Sequence, residues 1–301
     1  MKRRELLSHA AASAALALLG RPGLAAPAEL LHKPIPGTAE TLPVIGVGTN
    51  RYSAGDPALE ARLRQALSTF AELGGTLIDT APMYRSSETV LGQLIENLGI
   101  RDRLFLATKA DRPAAAGGLD RLDNSFTTLR ADPLDLVQSH NLMGVDSMLP
   151  VLRELQQEKR IRYVGITTSR TAQFDAFIAV MKAQQPDFIQ VNYSLADRQA
   201  EDQILPLAAD RGMAVLVNLP LGRGKLFKAV GSRPVPDWAS EFDCTSWAQF
   251  FLKFVVSHPA VTCAIPGMTR PEHVIDNLGA ASGALPDQQQ RKRQARFIAE
   301  L

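Results

Sequence analysis

The chain has 301 residues, 46% hydrophobic and 21% charged, with a formal net charge of +2. This is ordinary globular composition, which excludes a disordered or collagen-like protein and gives no basic footprint for nucleic acid. The length suits one large domain or two small ones, and repeating α/β barrels commonly fill about 250 residues as one domain.

Residues 1–28 read as an export signal. Lys2, Arg3 and Arg4 open the chain, the run AAASAALALLG (10–20) is apolar and helix-prone, and Ala26-Pro27-Ala28 offers a small-residue cleavage site. The apolar run is shorter than the roughly 20 residues of a membrane span. Arg3-Arg4 followed by Glu5-Leu6-Leu7 resembles a twin-arginine signal, which the export machinery reads as an address. A periplasmic or otherwise exported protein is expected, the alternative being a cytoplasmic one with a basic N-terminus. Removing this segment takes away Lys2, Arg3, Arg4, Arg21 and Glu5, a net of +3, and turns +2 into −1.

From residue 29 to 301 one domain is expected, with no Gly-, Ser- or Pro-rich linker inside it. Short apolar runs at 44–47, 76–78, 104–107, 134–138, 162–166, 188–191, 214–217 and 262–265 predict strands. Helix-like stretches lie between them, near 57–73, 90–98, 119–130, 147–159, 171–183, 200–211, 245–257 and 271–280. In the second, Val90, Leu91, Leu94, Ile95 and Leu98 share one face, and Gly99 suits its C-terminal end. Continuous strands separated by helices argue for parallel βαβ units, and eight of them fit a (β/α)₈ TIM barrel better than an open doubly wound sheet. The polar tail after 280 leaves little chain for a long closing loop, which predicts an open site. Cys244 and Cys263 are the only cysteines and are expected to be buried, unpaired thiols; no Cys/His cluster has metal-ligand spacing.

In such a barrel, working residues sit where strands end. The second strand ends at Asp79, with Tyr84 on its loop; the third ends at Lys109 and the fourth at His140. A phenol has a pKa near 10, and a nearby ammonium lowers it by stabilising phenolate. Lys109 can be that ammonium, Asp79 can hold it, and His140 can hydrogen-bond a reacting oxygen. The set moves a proton to or from a carbonyl or alcohol oxygen but supplies no electrons, so a cofactor must carry the hydride. Lys109 as a Schiff-base lysine is the competing chemistry. Met83, Leu142 and Met143 could line a pocket or pack under the loops. Trp238, in the Pro-rich stretch 233–238, is read as a lid over the site.

IDTAPMY (78–84), ATK (107–109), LDLVQSHN (134–141), RIRYVGITTS (160–169), FIQVNYS (188–194) and AIPGMTRPEHVIDN (264–277) resemble the aldo/keto reductases, in the same order. The resemblance implies a (β/α)₈ barrel, a small-molecule carbonyl substrate and NADPH or NADP as cofactor, with NADH less favoured. Tyr84 would be the general acid, Lys109 and Asp79 would tune it, and His140 would position the carbonyl. For the cofactor it implies Gly48, Thr49 and Asn50 after the first strand, Thr167 and Thr168 after the fifth, and Gln190 for the carboxamide. Leu221, Arg223 and Gly224 would cover the pyrophosphate, with Gly267, Arg270 and Asn277 at the adenosine end. Thr167-Thr168 stands where many members have Ser-Asn, and Asn218 where they commonly stack a Tyr or Trp on the nicotinamide. That departure motivates a second reading, an NADP-binding regulatory or sensor barrel with little turnover.

Overall fold

The computed structural model describes residues 29–301; the stretch read as an export signal lies outside the described residues. A short antiparallel hairpin, β1 (His32–Pro34) and β2 (Thr41–Pro43), comes first. Strands and helices then alternate: β3 (Val47–Gly48), α1 (Pro57–Glu72), β4 (Leu77–Asp79), α2 (Ser87–Leu98), β5 (Phe105–Ala110), α3 (Gly118–Leu129), β6 (Leu134–Ser139) and α4 (Val145–Gln157). The pattern continues through β7 (Ile161–Thr168), α5 (Phe174–Gln184), β8 (Phe188–Asn192), α6 (Ile204–Asp210) and β9 (Ala214–Asn218). After it come α7 (Lys225–Val230), α8 (Trp247–Val256), β10 (Cys263–Ala264), α9 (Pro271–Gly279) and α10 (Gln288–Ala299).

Strands β3 to β10 pair in parallel, in chain order. Bridges from Ile45 to Ala264 and from Gly48 to Gly267 join the first of them to the last. The sheet therefore closes, and the expected (β/α)₈ barrel is what forms. Gly48 has a packing reason to be glycine: a Cβ there would lie 2.9 Å from the Ile265 carbonyl oxygen across the seam.

Local signals set the helices. Asp56 caps α1, its Oδ1 accepting from the Ala58 and Leu59 N–H groups, and Pro57 occupies the first turn, where its missing N–H costs nothing. Gly99 ends α2 in the left-handed conformation, φ 62°. In α1, Leu63, Ala66, Leu67 and Phe70 repeat at helical spacing and bury against the barrel wall.

Side chains along each strand alternate between two cores. Ile78, Leu106, Val137, Val164, Ile189 and Val215 point outward to the helices. Leu77, Phe105, Leu136, Tyr163, Phe188 and Ala214 point inward and fill the lower barrel. Ile35 and Leu42 of the hairpin join this inner cluster, so the hairpin stoppers the N-terminal end. It is anchored there by Lys33, which donates to the carbonyls of Val256, His258 and Val261 at 2.7–2.8 Å, and by Tyr163, which donates to Glu40 at 2.8 Å. The sequence reading had not placed this hairpin.

Two smaller points differ or sharpen. Trp238 is no lid: its ring packs against Phe242, Phe250 and Phe297 in the layer between α8 and α10. Both cysteines are buried and free, Cys263 in the inner barrel and Cys244 in the outer layer. Among the described residues no helix is long and apolar enough to cross a membrane, and no group of His, Cys, Asp and Glu could hold a metal.

Candidate active site

One register step above the apolar inner layer, the same alternation turns polar. The inward positions become Asp79 on β4, Lys109 on β5, Gln138 on β6, Thr167 on β7, Gln190 on β8 and Asn218 on β9. All but Asn218, which is half-buried, are at most 2% exposed. A polar layer at the C-terminal mouth of a barrel is where side chains from many strands meet.

Asp79 is the hub. Its Oδ2 accepts from Lys109 Nζ at 2.6 Å, and its Oδ1 from Gln190 Nε2 at 2.9 Å and Gln138 Nε2 at 3.3 Å. Lys109 also donates to the Thr80 carbonyl at 2.8 Å. Burial alone would lower the Lys109 pKa, but the Asp79 carboxylate and the Tyr84 phenol more than offset it, and the net direction is up. Held by the Asp79 carboxylate and the Thr80 carbonyl and favoured in its charged form, Lys109 is placed as a fixed cation rather than as a free amine nucleophile, which weighs against the Schiff-base reading.

The Lys109 ammonium lies over the Tyr84 ring, 5.1 Å from its centroid, and His140 meets that ring edge-on at 5.9 Å. The expected lowering of the Tyr84 pKa is not the net result. Burial raises it most, Asp79 adds to that, and Lys109 only partly pulls it back. Tyr84 is therefore a phenol that keeps its proton near neutral pH. His140 is held down to about 3, by burial first and then by the Lys109 and Arg170 cations, so its imidazole is neutral. Its Nδ1 is buried and has no partner among the described residues.

The backbone around this mouth is strained. Asn141 (φ 52°), Leu142 (φ 57°) and Leu219 (φ 52°) lie in the left-handed region, which leucine seldom adopts. Gly165 must lack a side chain, because a Cβ would sit 2.8 Å from Gln138 Cγ.

Most of the residues expected to hold a cofactor lie at strand ends or on strand-to-helix loops of the same mouth, Asn277 inside α9 being the exception, and not all present free side chains. Thr49 is fully buried, its hydroxyl donating to the Asp79 carbonyl and accepting from Ser87. Asn50 is exposed beside it. Thr167 donates to Gln190 Oε1 at 3.1 Å, so with Asp79 on its nitrogen the Gln190 amide is engaged at both ends. Thr168 bonds Gln173 at 2.7 Å. Leu221, Arg223 and Gly224 form the loop between β9 and α7, and Gly267 and Arg270 lead into α9, which carries buried Asn277. A groove of about 770 Å³ opens between the loops after β7, β8 and β9, lined by Thr171, Leu195, Asp197, Arg198 and Lys225 among others.

Sequence reading missed Gln138, Asn192 and Asn141. Strand alternation could have found the first two, since Leu136-x-Gln138 and Gln190-x-Asn192 continue inward-facing series. Asn141 carries no such signal; its role is set by a left-handed backbone that lets Oδ1 accept from the Ser169 N–H at 2.9 Å.

A model of the aldo/keto reductase family matches residues 44–295. The chain belongs to the aldo/keto reductase family. A curated relative, the methylglyoxal reductase YeaE of Escherichia coli, is 30% identical over 246 residues, 79% of this chain and 84% of the relative. The aldo-keto reductase YhdN of Bacillus subtilis is 33% identical over 168 residues, 51% of this chain and half of its own length. Among solved structures, an aldo-keto reductase of Klebsiella pneumoniae in complex with NADPH superposes with a TM-score of 0.75 at 27% identity, covering 90% of this chain and 95% of that one. Another from the same organism, in complex with NADP and acetate, gives 0.72 at 28% identity, with coverages of 86% and 92%. These aldo/keto reductases share the barrel described above.

Two orphaned acceptors test whether a cofactor fits. Asn192 and Asn218 are register partners on β8 and β9. Asn192 Nδ2 donates to the Asp197 carboxylate, and Asn218 Nδ2 to the Thr168 carbonyl at 3.1 Å. Both partners can only accept, so each amide is fixed with its oxygen free, and both Oδ1 atoms are buried without a donor. Gln138 Oε1 is orphaned in the same layer. Buried acceptors without donors are costly, and this cluster fits a ligand rich in N–H and O–H groups, as a nicotinamide ribose is.

Proposed function

We propose that this protein reduces an aldehyde or ketone to an alcohol with NADPH, and runs the reverse reaction with NADP. The observation that carries the reading is the buried Lys109–Asp79 pair under Tyr84, with neutral His140 against the same ring, at the open mouth of the barrel. Asn192 and Asn218 would hold the nicotinamide end through their free oxygens, and the loops bearing Arg223 and Arg270 the phosphates. A guanidinium suits a 2′-phosphate, which favours NADPH over NADH. When bound, NADPH supplies the hydride, which no side chain here can.

The chain's own groups manage the proton. Tyr84 donates its hydroxyl proton to the carbonyl oxygen. Lys109, locked in its charged form by Asp79, stabilises the phenolate that remains. His140 offers one imidazole N–H to the same oxygen and so fixes the carbonyl's orientation. The two glutamines on Asp79 leave it no freedom to turn from Lys109.

The test is Tyr84→Phe. Carbonyl-dependent NADPH oxidation, assayed first with methylglyoxal, is expected to fall by about 10²–10⁴, with the NADPH Kd little changed. Full retention of turnover would refute the assignment. Tight NADPH binding by the wild type, with no turnover across a broad carbonyl panel, would favour the binding-module reading instead.

A further inference from the structure

The two ends of the barrel treat arginine differently. In the turns from helix to strand, every arginine is engaged. Arg101, Arg130 and Arg160 pair with Asp135, Glu96 and Asp132, while Arg103 and Arg211 donate to the carbonyls of Ala71 and Lys182. In the loops from strand to helix, seven of the eight carry an arginine, and each of the seven is exposed. Of these seven, Arg270 alone has a carboxylate within pairing distance among the described residues, Glu272 at 3.8 Å. Among the described residues, Arg51, Arg85, Arg112, Arg170, Arg198 and Arg223 have neither a salt bridge nor a side-chain hydrogen bond.

Part of this ring answers to the cofactor assigned above, since Arg223 and Arg270 stand on its expected loops. Arg85 and Arg112 do not, and Arg170 sits two residues beyond Thr168, where the β7–α5 loop turns toward His140 and Asn141. All three stand by the proton-transfer residues. Arg85 follows Tyr84 directly, with left-handed backbone (φ 56°). Arg112 lies on the loop that β5 enters just after Lys109. Arg170 follows Ser169, whose N–H is held by Asn141, the neighbour of His140, and its charge is felt at His140.

We propose that the carbonyl substrate is an anion, with a carboxylate or phosphate that Arg85, Arg112 and Arg170 draw in and hold at the mouth. The proposal rests on the carbonyl-reductase reading and narrows it to a substrate class. An unpaired guanidinium is a fixed, always-charged donor for either oxyanion, and three of them beside the reacting groups raise local capture of an anion, while the neighbouring groove after β8 mixes Arg198 and Lys225 with Asp197, Glu201 and Asp202.

The experiment compares matched substrates at saturating NADPH. 4-Carboxybenzaldehyde is set against the neutral 4-nitrobenzaldehyde, and glyceraldehyde 3-phosphate against glyceraldehyde. In at least one pair the anion is expected to win in kcat/KM by about tenfold or more, and that preference to shrink as ionic strength passes about 0.1 M and the Debye length drops below about 10 Å. The pair that shows the preference names the oxyanion. R85Q, R112Q and R170Q, singly and combined, are expected to cut kcat/KM for that anion about tenfold more than for its neutral match, mainly through KM. The NADPH Kd, read by fluorescence titration, is expected to hold.

Turnover of the neutral aldehydes with no anion preference in either pair would overturn the proposal while leaving the reductase reading intact. Loss shared equally by charged and neutral substrates, or a rise in NADPH Kd of similar size, would overturn it too, assigning these arginines to the cofactor. No turnover of any of the four while methylglyoxal is still reduced would overturn the proposal alone, whereas no turnover of these four or of methylglyoxal would sink both readings.

Discussion

At the scale of single residues, the site is a set of fixed protonation states. Tyr84 is pushed above the ordinary phenol range, His140 is held near 3, and Lys109 is kept charged. In the reduction proposed above all three would act as they stand near neutrality, so kcat/KM for reduction is expected to be flat from about pH 5 to pH 9. Oxidation needs the phenolate, and its rate is expected to climb with pH across that range, by up to about tenfold per unit. A titration of reduction centred near pH 6–7 would show that His140 carries a proton in the working enzyme, against the burial seen here. The residue types at Asp79, Tyr84, Lys109 and His140 were legible because each ends or follows a strand. The direction of the Tyr84 shift was not, because desolvation depends on what the fold packs around the ring.

At the scale of elements, the strands and helices were legible and their partners only in part. Eight short apolar runs gave eight barrel strands, although the first shrank to Val47–Gly48 and the third and fifth grew to Ala110 and Thr168. The β1–β2 hairpin escaped because HKP and TLP are too short and too mixed to show a period. Trp238 was misread because an aromatic in a Pro-rich loop looks the same whether it covers a site or packs on a helix. Contacts between helices were equally invisible in the sequence, and Gly92 shows why they matter. A Cβ there would lie 2.0 Å from the Thr128 carbonyl oxygen and 3.0 Å from Leu129 Cα, so α2 and α3 touch backbone to backbone. In Gly92→Ala, helix propensity gains about 1 kcal/mol, but prising the helices apart costs about 1–3 kcal/mol or more. A net fall of several degrees in Tm is expected. Because α2 begins just after the Tyr84 loop, kcat is expected to fall with it; an unchanged Tm would mean the helices do not meet this closely.

At the scale of the whole molecule, acid is the expected weakness. His140 is held to about 3 and His258 to about 4, each by burial first and then by cations that include Lys109 for the one and Arg291 for the other. Both values lie below the roughly 6.5 of an unfolded histidine. Above about pH 6.5 neither state binds these protons and stability is complete. As pH falls from there toward 4 and 3, only the unfolded chain takes them up, and stability declines. Tm is therefore expected to drop between pH 7 and pH 4.5, and His258→Gln to flatten the drop. An identical slope in that variant would remove His258 from the account.

The hairpin seated under the inner core leaves the barrel a single doorway. Reductant and carbonyl must both use it, and whichever enters first sits deeper. The free oxygens of Asn192 and Asn218, proposed above to hold the nicotinamide end, are buried at the strand ends, whereas the arginines of the rim are exposed. The nucleotide is thus expected to arrive first and leave last, with the alcohol departing between. Product inhibition reads such a queue directly: NADP should compete with NADPH, whereas the alcohol should not. A molecule with one door keeps its order of service by geometry, with no moving gate required.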